Sequence, residues 1–246
     1  MQLGRHVQIS MGVPDLAAAR QFYDQLGFQL IDQQTEPWPW AQVSDGQILL
    51  LLNQDGNLYT GLLYMSPAAD EVVAHLETLG VGFIHRQERE DGVLQQVIFG
   101  AHNLLVSVAN HDPAGLYQPA GEPLSRCGKF GEFAIPVADF TAASTFWQQV
   151  GFEIRYESTE PYQWGIFNDG NIVLGLHAVQ NMAGDEKDRF YFPHPTMTYF
   201  NADMAARIAS LRADGLPFQA GYDGGPGNAI LIAPGDQRIF LFEGEV

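Results

Sequence analysis

A single cysteine, Cys127, is all the chain contains, so no intramolecular disulfide can form and a reducing compartment is expected. Basic residues are scarce: 12 Lys and Arg stand against 29 Asp and Glu, a net charge of −17. A surface of that sign repels phosphate, which excludes nucleic acid as a partner and disfavours anionic membranes. It is compatible with a cationic small molecule and with nothing more specific than solubility. No apolar run approaches the ~18–20 residues that cross a bilayer. Met1 to Ser10 shows no basic stretch followed by an apolar one, so a cytoplasmic location is expected. G-x-S-x-G and G-x-x-x-x-G-K-(S/T) are both missing, which removes the serine-hydrolase elbow and the phosphate loop. The glycines at 221–227 precede a strand-like segment rather than a helix and read as a loop.

What the chain does have is an internal duplication. Thr35-Glu36-Pro37-Trp38-Pro39-Trp40 returns as Thr159-Glu160-Pro161-Tyr162-Gln163-Trp164, displaced by 124 residues (35 to 159). The same displacement carries Gly27-Phe28 to Gly151-Phe152 and Asp45-Gly46 to Asp169-Gly170. Gln8 to Leu52 aligns with Glu132 to Leu176 without a gap. Repeats of this kind organise a fold before local structure does.

Each copy divides again into strand–helix–three strands. In the first module, residues 7–13 alternate as a strand and Asp15 stands where an N-cap belongs, its carboxylate ready for the free amides of the first turn. Leu16, Ala19, Phe22, Tyr23 and Leu26 recur at helical spacing, and Gly27 closes the helix. Strands follow at 28–34, 40–44 and 47–53, with Asp45-Gly46 marking a hairpin. The second module reads as strand 59–65, helix 68–79 and strands 82–88, 93–99 and 103–109. The third reads as strand 131–137, helix 139–150 and strands 152–158, 164–168 and 171–178. The fourth reads as strand 196–201, helix 203–214 and strands 217–222, 228–233 and 237–243. The expected organisation is a domain at 1–112, a proline-containing linker at 113–127 and a domain at 128–246. Residues 181–193 form a polar insertion that the first copy lacks.

The segments VPDLAAARQFYDQLGF and VADFTAASTFWQQVGF, with W-x-x-V-x-D-G at Trp40–Gly46 and W-x-x-F-x-D-G at Trp164–Gly170, resemble the vicinal oxygen chelate superfamily. That group includes glyoxalase I, extradiol dioxygenases and bleomycin-resistance proteins. The resemblance covers nearly the whole chain. It implies an α+β fold of four βαβββ modules, forming two tandem glyoxalase-like domains with curved mixed sheets around a ligand. It also implies where a metal would sit, on the first and last strands of each module. By that correspondence the first-strand positions are Gln8, Gly61, Glu132 and Thr196, and the last-strand positions fall near Leu51, Val106, Gly175 and Phe240.

A divalent ion that polarises neighbouring oxygens needs three or four N/O donors and open positions. These positions supply one or two. The expectation is therefore no metal and no cofactor: a metal-free small-molecule binding protein of the glyoxalase/bleomycin-resistance type, as monomer or homodimer. Its ligand is expected to meet Gln8, Trp40, Glu132, Trp164, His177, Thr196 and Thr198. Trp40 and Trp164 offer flat walls or plain core packing. Glu132 offers a proton acceptor, a cation partner or a structural ion pair. His177 replaces Asn53 of the first copy, a difference through which one half can gain a task. Thr196 and Thr198 share the ligand-facing parity of their strand. The rival reading is a metal-dependent lyase, isomerase or extradiol-type dioxygenase with atypical ligands drawn from His6, Gln8, Glu132, His177 and His194. A third is a regulatory module sharing only the fold.

Overall fold

The computed structural model describes residues 1–178, 192 and 194–245. The first module comprises β1 (His6–Gly12), α1 (Leu16–Gln25), β2 (Gln29–Gln34), β3 (Trp40–Ser44) and β4 (Leu49–Asn53). The second comprises β5 (Thr60–Ser66), α2 (Ala69–Thr78), β6 (Phe83–Glu88), β7 (Leu94–Ala101) and β8 (Leu104–Asn110). The third comprises β9 (Lys129–Pro136), α3 (Phe140–Gln149), β10 (Glu153–Ser158), β11 (Trp164–Asn168) and β12 (Val173–His177). In the fourth come β13 (Thr196–Asn201), α4 (Met204–Ala213), β14 (Ala229–Ala233) and β15 (Gln237–Glu243).

Local chemistry accounts for the boundaries. The carboxylates of Asp15 and Asp139 accept hydrogen bonds from the amides of Ala18 and Ala142, which caps α1 and α3. Gly27, Gly80, Gly151 and Gly215 follow the four helices at φ values of 88°, 75°, 101° and 78°, a region that favours glycine. In the hairpin between β3 and β4, Asp45 accepts from the amides of Gln47 and Ile48 while Gly46 takes φ 85°. Asp169, Asn171, Ile172 and Gly170 repeat that arrangement in the second copy. Both copies also share a cis peptide, at Glu36-Pro37 and Glu160-Pro161.

One expected strand does not form. Of residues 217–222, only Phe218 pairs, as an isolated bridge to Leu231. Pro217 has no amide hydrogen to donate, and Gly221 leaves the extended region at φ 76°, so the ladder stops after two bonds. The fourth module is thus βαββ among the described residues. The expected insertion at 181–193 lies outside the described residues, apart from residue 192.

Two mixed sheets result. The strand order is β2-β3-β4-β1-β5-β8-β7-β6 in the eight-stranded sheet and β10-β11-β12-β9-β13-β15-β14 in the seven-stranded sheet. Each sheet draws its strands from one copy of the duplication. Compactness divides the chain differently. One unit holds Met1–Gln8, Gly61–Leu116 and Ala134–Pro195; the other holds Ile9–Thr60, Tyr117–Phe133 and Thr196–Val246. Unit 1 therefore joins the second and third modules, and unit 2 the first and fourth.

Strand alternation sorts each sheet into two faces. In unit 2, Ile9 pairs with Leu50 and Met11 with Leu52, all at most 1% exposed. The Tyr23 hydroxyl of α1 reaches the Met11 sulfur at 3.8 Å, so this face packs on the helix. Ser10, Leu51 and Asn53 take the opposite face. In unit 1, Leu174 and Leu176 of β12 and Phe167 of β11 are fully buried, with Trp147 of α3 among the largest buried side chains. Residues 121–126 are tied back to the first copy: the amides of Gly121, Leu124 and Arg126 donate to the carbonyls of Gly46, Asp45 and Leu26.

Candidate functional site

On the open face of the third module, antiparallel pairing of β11 with β12 sets Trp164 opposite His177. Directly opposed residues share a face, and here their rings stack with centroids 6.0 Å apart and planes within 4°. Just before β11, Tyr162 places its hydroxyl 3.1 Å from His177 Nδ1. Phe192 meets the imidazole edge-on at 5.5 Å, and Tyr156 leans on Trp164 at 5.0 Å. The Trp164 indole nitrogen donates to the Glu160 carbonyl at 3.2 Å, which fixes the ring's rotation. His177 is buried, Trp164 is half-buried and Tyr156 is exposed, so the cluster runs from the core to the surface.

A phenol and an imidazole at this distance form a proton-transfer pair. The phenol donates when Nδ1 is bare, and the ring nitrogen donates when it carries the proton. The stacked indole limits water on one side of the imidazole and holds its plane. A flat wall beside an acid–base pair suits an oxygen-bearing planar molecule.

The corresponding place in the first copy is chemically different. Trp40 pairs with Asn53, whose amide nitrogen bonds the Ser10 hydroxyl at 3.2 Å and the Tyr59 hydroxyl at 3.0 Å. Burial, more than any neighbour, pushes the Tyr59 phenol above its ordinary range. The amide closes a hydrogen-bond network and carries no exchangeable charge.

The remaining expected residues divide between the units. Gln8 lies in unit 1, its amide nitrogen 3.2 Å from His6 Nε2, and its Oε1 is buried with no hydrogen-bond partner among the described residues. Glu132, Thr196 and Thr198 lie in unit 2, at 8%, 1% and 1% exposure. Of the seven residues expected, the structure brings Trp164 and His177 into contact and seats Thr196 and Thr198 on one face of β13. It places Trp40 beside Asn53 instead. Two relevant residues were not selected from the sequence. Tyr162 was one of several tyrosines with nothing to distinguish it, its repeat partner being Trp38. Arg238 was passed over although it is the one cation in the strand-like run QRIFLFE and is 9% exposed.

The donors do not fit a divalent ion. Among the described residues, no three His, Cys, Asp or Glu side chains gather in a way that would hold one. His6 and Gln8 are neighbours, but His177 is engaged by Tyr162 and Trp164.

No protein-family profile matches the sequence, and no curated protein matches it significantly. Solved structures do. A catechol 2,3-dioxygenase superposes with a TM-score of 0.58 at 17% identity, over 99% of this chain and 93% of that one. Homoprotocatechuate 2,3-dioxygenase from Arthrobacter globiformis gives 0.59 at 16%, over 100% and 81%. The fold is that of the vicinal oxygen chelate superfamily. A Mn(II)-bound glyoxalase from Novosphingobium aromaticivorans shares it too, with a TM-score of 0.58 at 16% identity over 96% of this chain and 80% of that one.

These vicinal oxygen chelate structures correct the functional expectation. The sequence pointed to a metal-free binding protein because its donor positions are apolar. The structures that share the fold across almost the whole chain are ring-cleaving dioxygenases and a glyoxalase. They support the rival enzyme reading instead. The weak step was to treat missing donors as evidence of sequestration, when a proton-transfer pair is present that spacing alone did not reveal. No helix among the described residues is long and apolar enough to cross a membrane.

Proposed function

We propose that the chain is an enzyme on the dioxygenase–glyoxalase scaffold, a lyase, isomerase or dioxygenase acting on a small, flat, oxygen-bearing molecule. The observation that carries this reading is the Tyr162–His177 pair, held by the parallel stack of Trp164. The substrate ring lies against the exposed side of the Tyr156–Trp164 wall, and its hydroxyl or carbonyl meets the imidazole–phenol pair. Positioned acid–base groups of this kind contribute roughly 10²–10⁴ in rate. The names of the fold relatives, catechol and homoprotocatechuate dioxygenases and a glyoxalase, support this substrate class. Because the described donors do not fit an ion, the role given to these residues is binding, orientation and proton transfer.

The test is turnover. Purified protein is assayed with catechol, homoprotocatechuate and a panel of glyoxalase substrates, each without added metal and with Fe(II) or Mn(II). Turnover of one class, lowered at least 100-fold in His177→Ala and at least tenfold in Tyr162→Phe, supports the reading. Binding of these compounds without turnover under every condition overturns it.

A further inference from the structure

Unit 2 carries a second surface of different chemistry. Parallel pairing sets Thr198 beside Phe240 and Phe200 beside Phe242. Arg238 precedes Phe240 by two residues and shares its face, where β14 offers Ile232 and Ile230 as the paired residues. The reverse face holds Met197, Tyr199, Ile239 and Leu241, all at most 2% exposed, and is core. The Arg238 face is graded. Arg238, Thr196 and Thr198 are buried at one end, whereas Phe200, Phe240 and Phe242 are only half-buried at the other. The Phe240 and Phe200 rings each lie 5.8 Å from Phe242, so the three make a continuous apolar surface.

Two features of this face point to an anion. A buried guanidinium is costly to desolvate and repels a divalent ion, and its planar fork of donors matches a carboxylate. Beside it, the Thr198 hydroxyl is buried and makes no hydrogen bond among the described residues, which leaves a donor unused. The acidic residue nearest in strand order is Glu132 on β9, with β13 between it and β15, roughly 10 Å away at ordinary strand spacing. Both Arg238 and Glu132 are already held by interactions within the protein. The fixed charge also accounts for the poor fit to a metal: Phe240 fills the expected last-strand donor position and a cation stands two residues before it.

We infer that this face binds an aromatic carboxylate, with the carboxylate on Arg238 and Thr198 and the ring on Phe240 and its neighbours. The site lies within unit 2 and does not depend on the reaction proposed above. Its test is equilibrium binding, without any measurement of turnover, so the two readings fail separately. Benzoate is titrated by calorimetry at neutral pH, with benzamide as the uncharged analogue and Mn(II) as the competing class. One equivalent of benzoate is expected to bind and benzamide at least tenfold more weakly. Arg238→Gln should weaken benzoate at least tenfold, and Thr198→Val, which keeps the side-chain shape, about threefold. No benzoate binding, equal binding of benzamide, or stoichiometric Mn(II) overturns the inference. So does unchanged benzoate affinity in Arg238→Gln, which would leave the guanidinium serving Glu132 alone. Where Arg238→Gln does not fold, Thr198→Val carries the same test, and an unchanged affinity in it is equally fatal.

Discussion

The Tyr199 hydroxyl donates a 2.8 Å hydrogen bond to Asp45 Oδ2, joining residues 154 apart in sequence. Tyr64 makes the same bond to Asp169 Oδ2 at 2.9 Å. In each case a hairpin aspartate of one copy, already bound to two backbone amides, takes a phenol from the inner-module strand of the other copy. Burial pushes both phenols well above their ordinary range, so they remain protonated donors at every physiological pH.

Tyr199→Phe removes one buried donor and leaves an Asp45 oxygen without it. The expected loss is about 1–3 kcal/mol, seen as a lower denaturant midpoint. Tyr64→Phe should cost a similar amount. A loss below about 0.5 kcal/mol for both would show that the paired bonds do not hold the units together.

Asp45 gives stability a pH dependence of unusual sign. Desolvation, outweighing its amide and Tyr199 hydrogen bonds, raises its carboxyl above the ordinary aspartate value. The folded state then binds this proton more tightly than the unfolded chain, so this group's contribution is fully present below about pH 4 and is lost as pH rises through the folded value. Asp45→Asn keeps an oxygen for the two backbone amides and abolishes the titration. Its stability relative to wild type should therefore improve as pH rises from about 4. Unfolding midpoints measured at half-unit intervals check this; a constant difference between the two proteins refutes it.

Cys127 should be chemically silent while the chain is folded. It is fully buried, and desolvation, aided by the nearby Asp45 charge, pushes its thiol up to about 12. At pH 8 only ~10⁻⁴ of it is thiolate. A thiol reagent should modify it at the rate of unfolding, and immediately in denaturant. Fast labelling of the native protein contradicts the placement.

The two hairpin glycines test the duplication directly. Both need positive φ, 85° at Gly46 and 90° at Gly170. A methyl group at Gly46 would collide with the Glu122 carbonyl and the Leu124 side chain, whereas at Gly170 it meets nothing within 4 Å. Gly170→Ala should cost about 1 kcal/mol, from backbone strain alone. Gly46→Ala should cost clearly more, by thermal unfolding, despite the identical sequence context.

His177→Asn restores the residue of the first copy. The loss of the Trp164 stack is worth roughly 0.5–1.5 kcal/mol, so the fold should survive. Turnover should fall at least 100-fold. Full turnover in this variant would move the chemistry away from the third module.

The duplication, the helix caps and the hairpin turns were legible because each is local: an aspartate, a glycine and a periodic apolar stripe within a dozen residues. The strand at 217–222 was misread because Pro217 and Gly221 break a ladder that apolar content alone suggests. The site was legible only by type. Trp164 and His177 were singled out, but their stacking depends on which residues of β11 and β12 stand opposite, a matter of register. Tyr162 lies outside any strand, so alternation says nothing about it. Arg238 sat in an apolar run, where a lone charge reads as an edge residue until its burial is known.

Because each compact unit takes one module from either copy, neither copy is a self-sufficient half. A gene fragment ending in the segment between them would encode two incomplete bodies and no complete one. Loss of a copy by recombination would therefore dismantle both units in a single step, with no smaller ancestor-like protein left behind. Selection then acts on the two copies as partners. His177 and Asn53 are free to diverge at the open faces, while the aspartates and tyrosines that tie one copy to the other must change in concert.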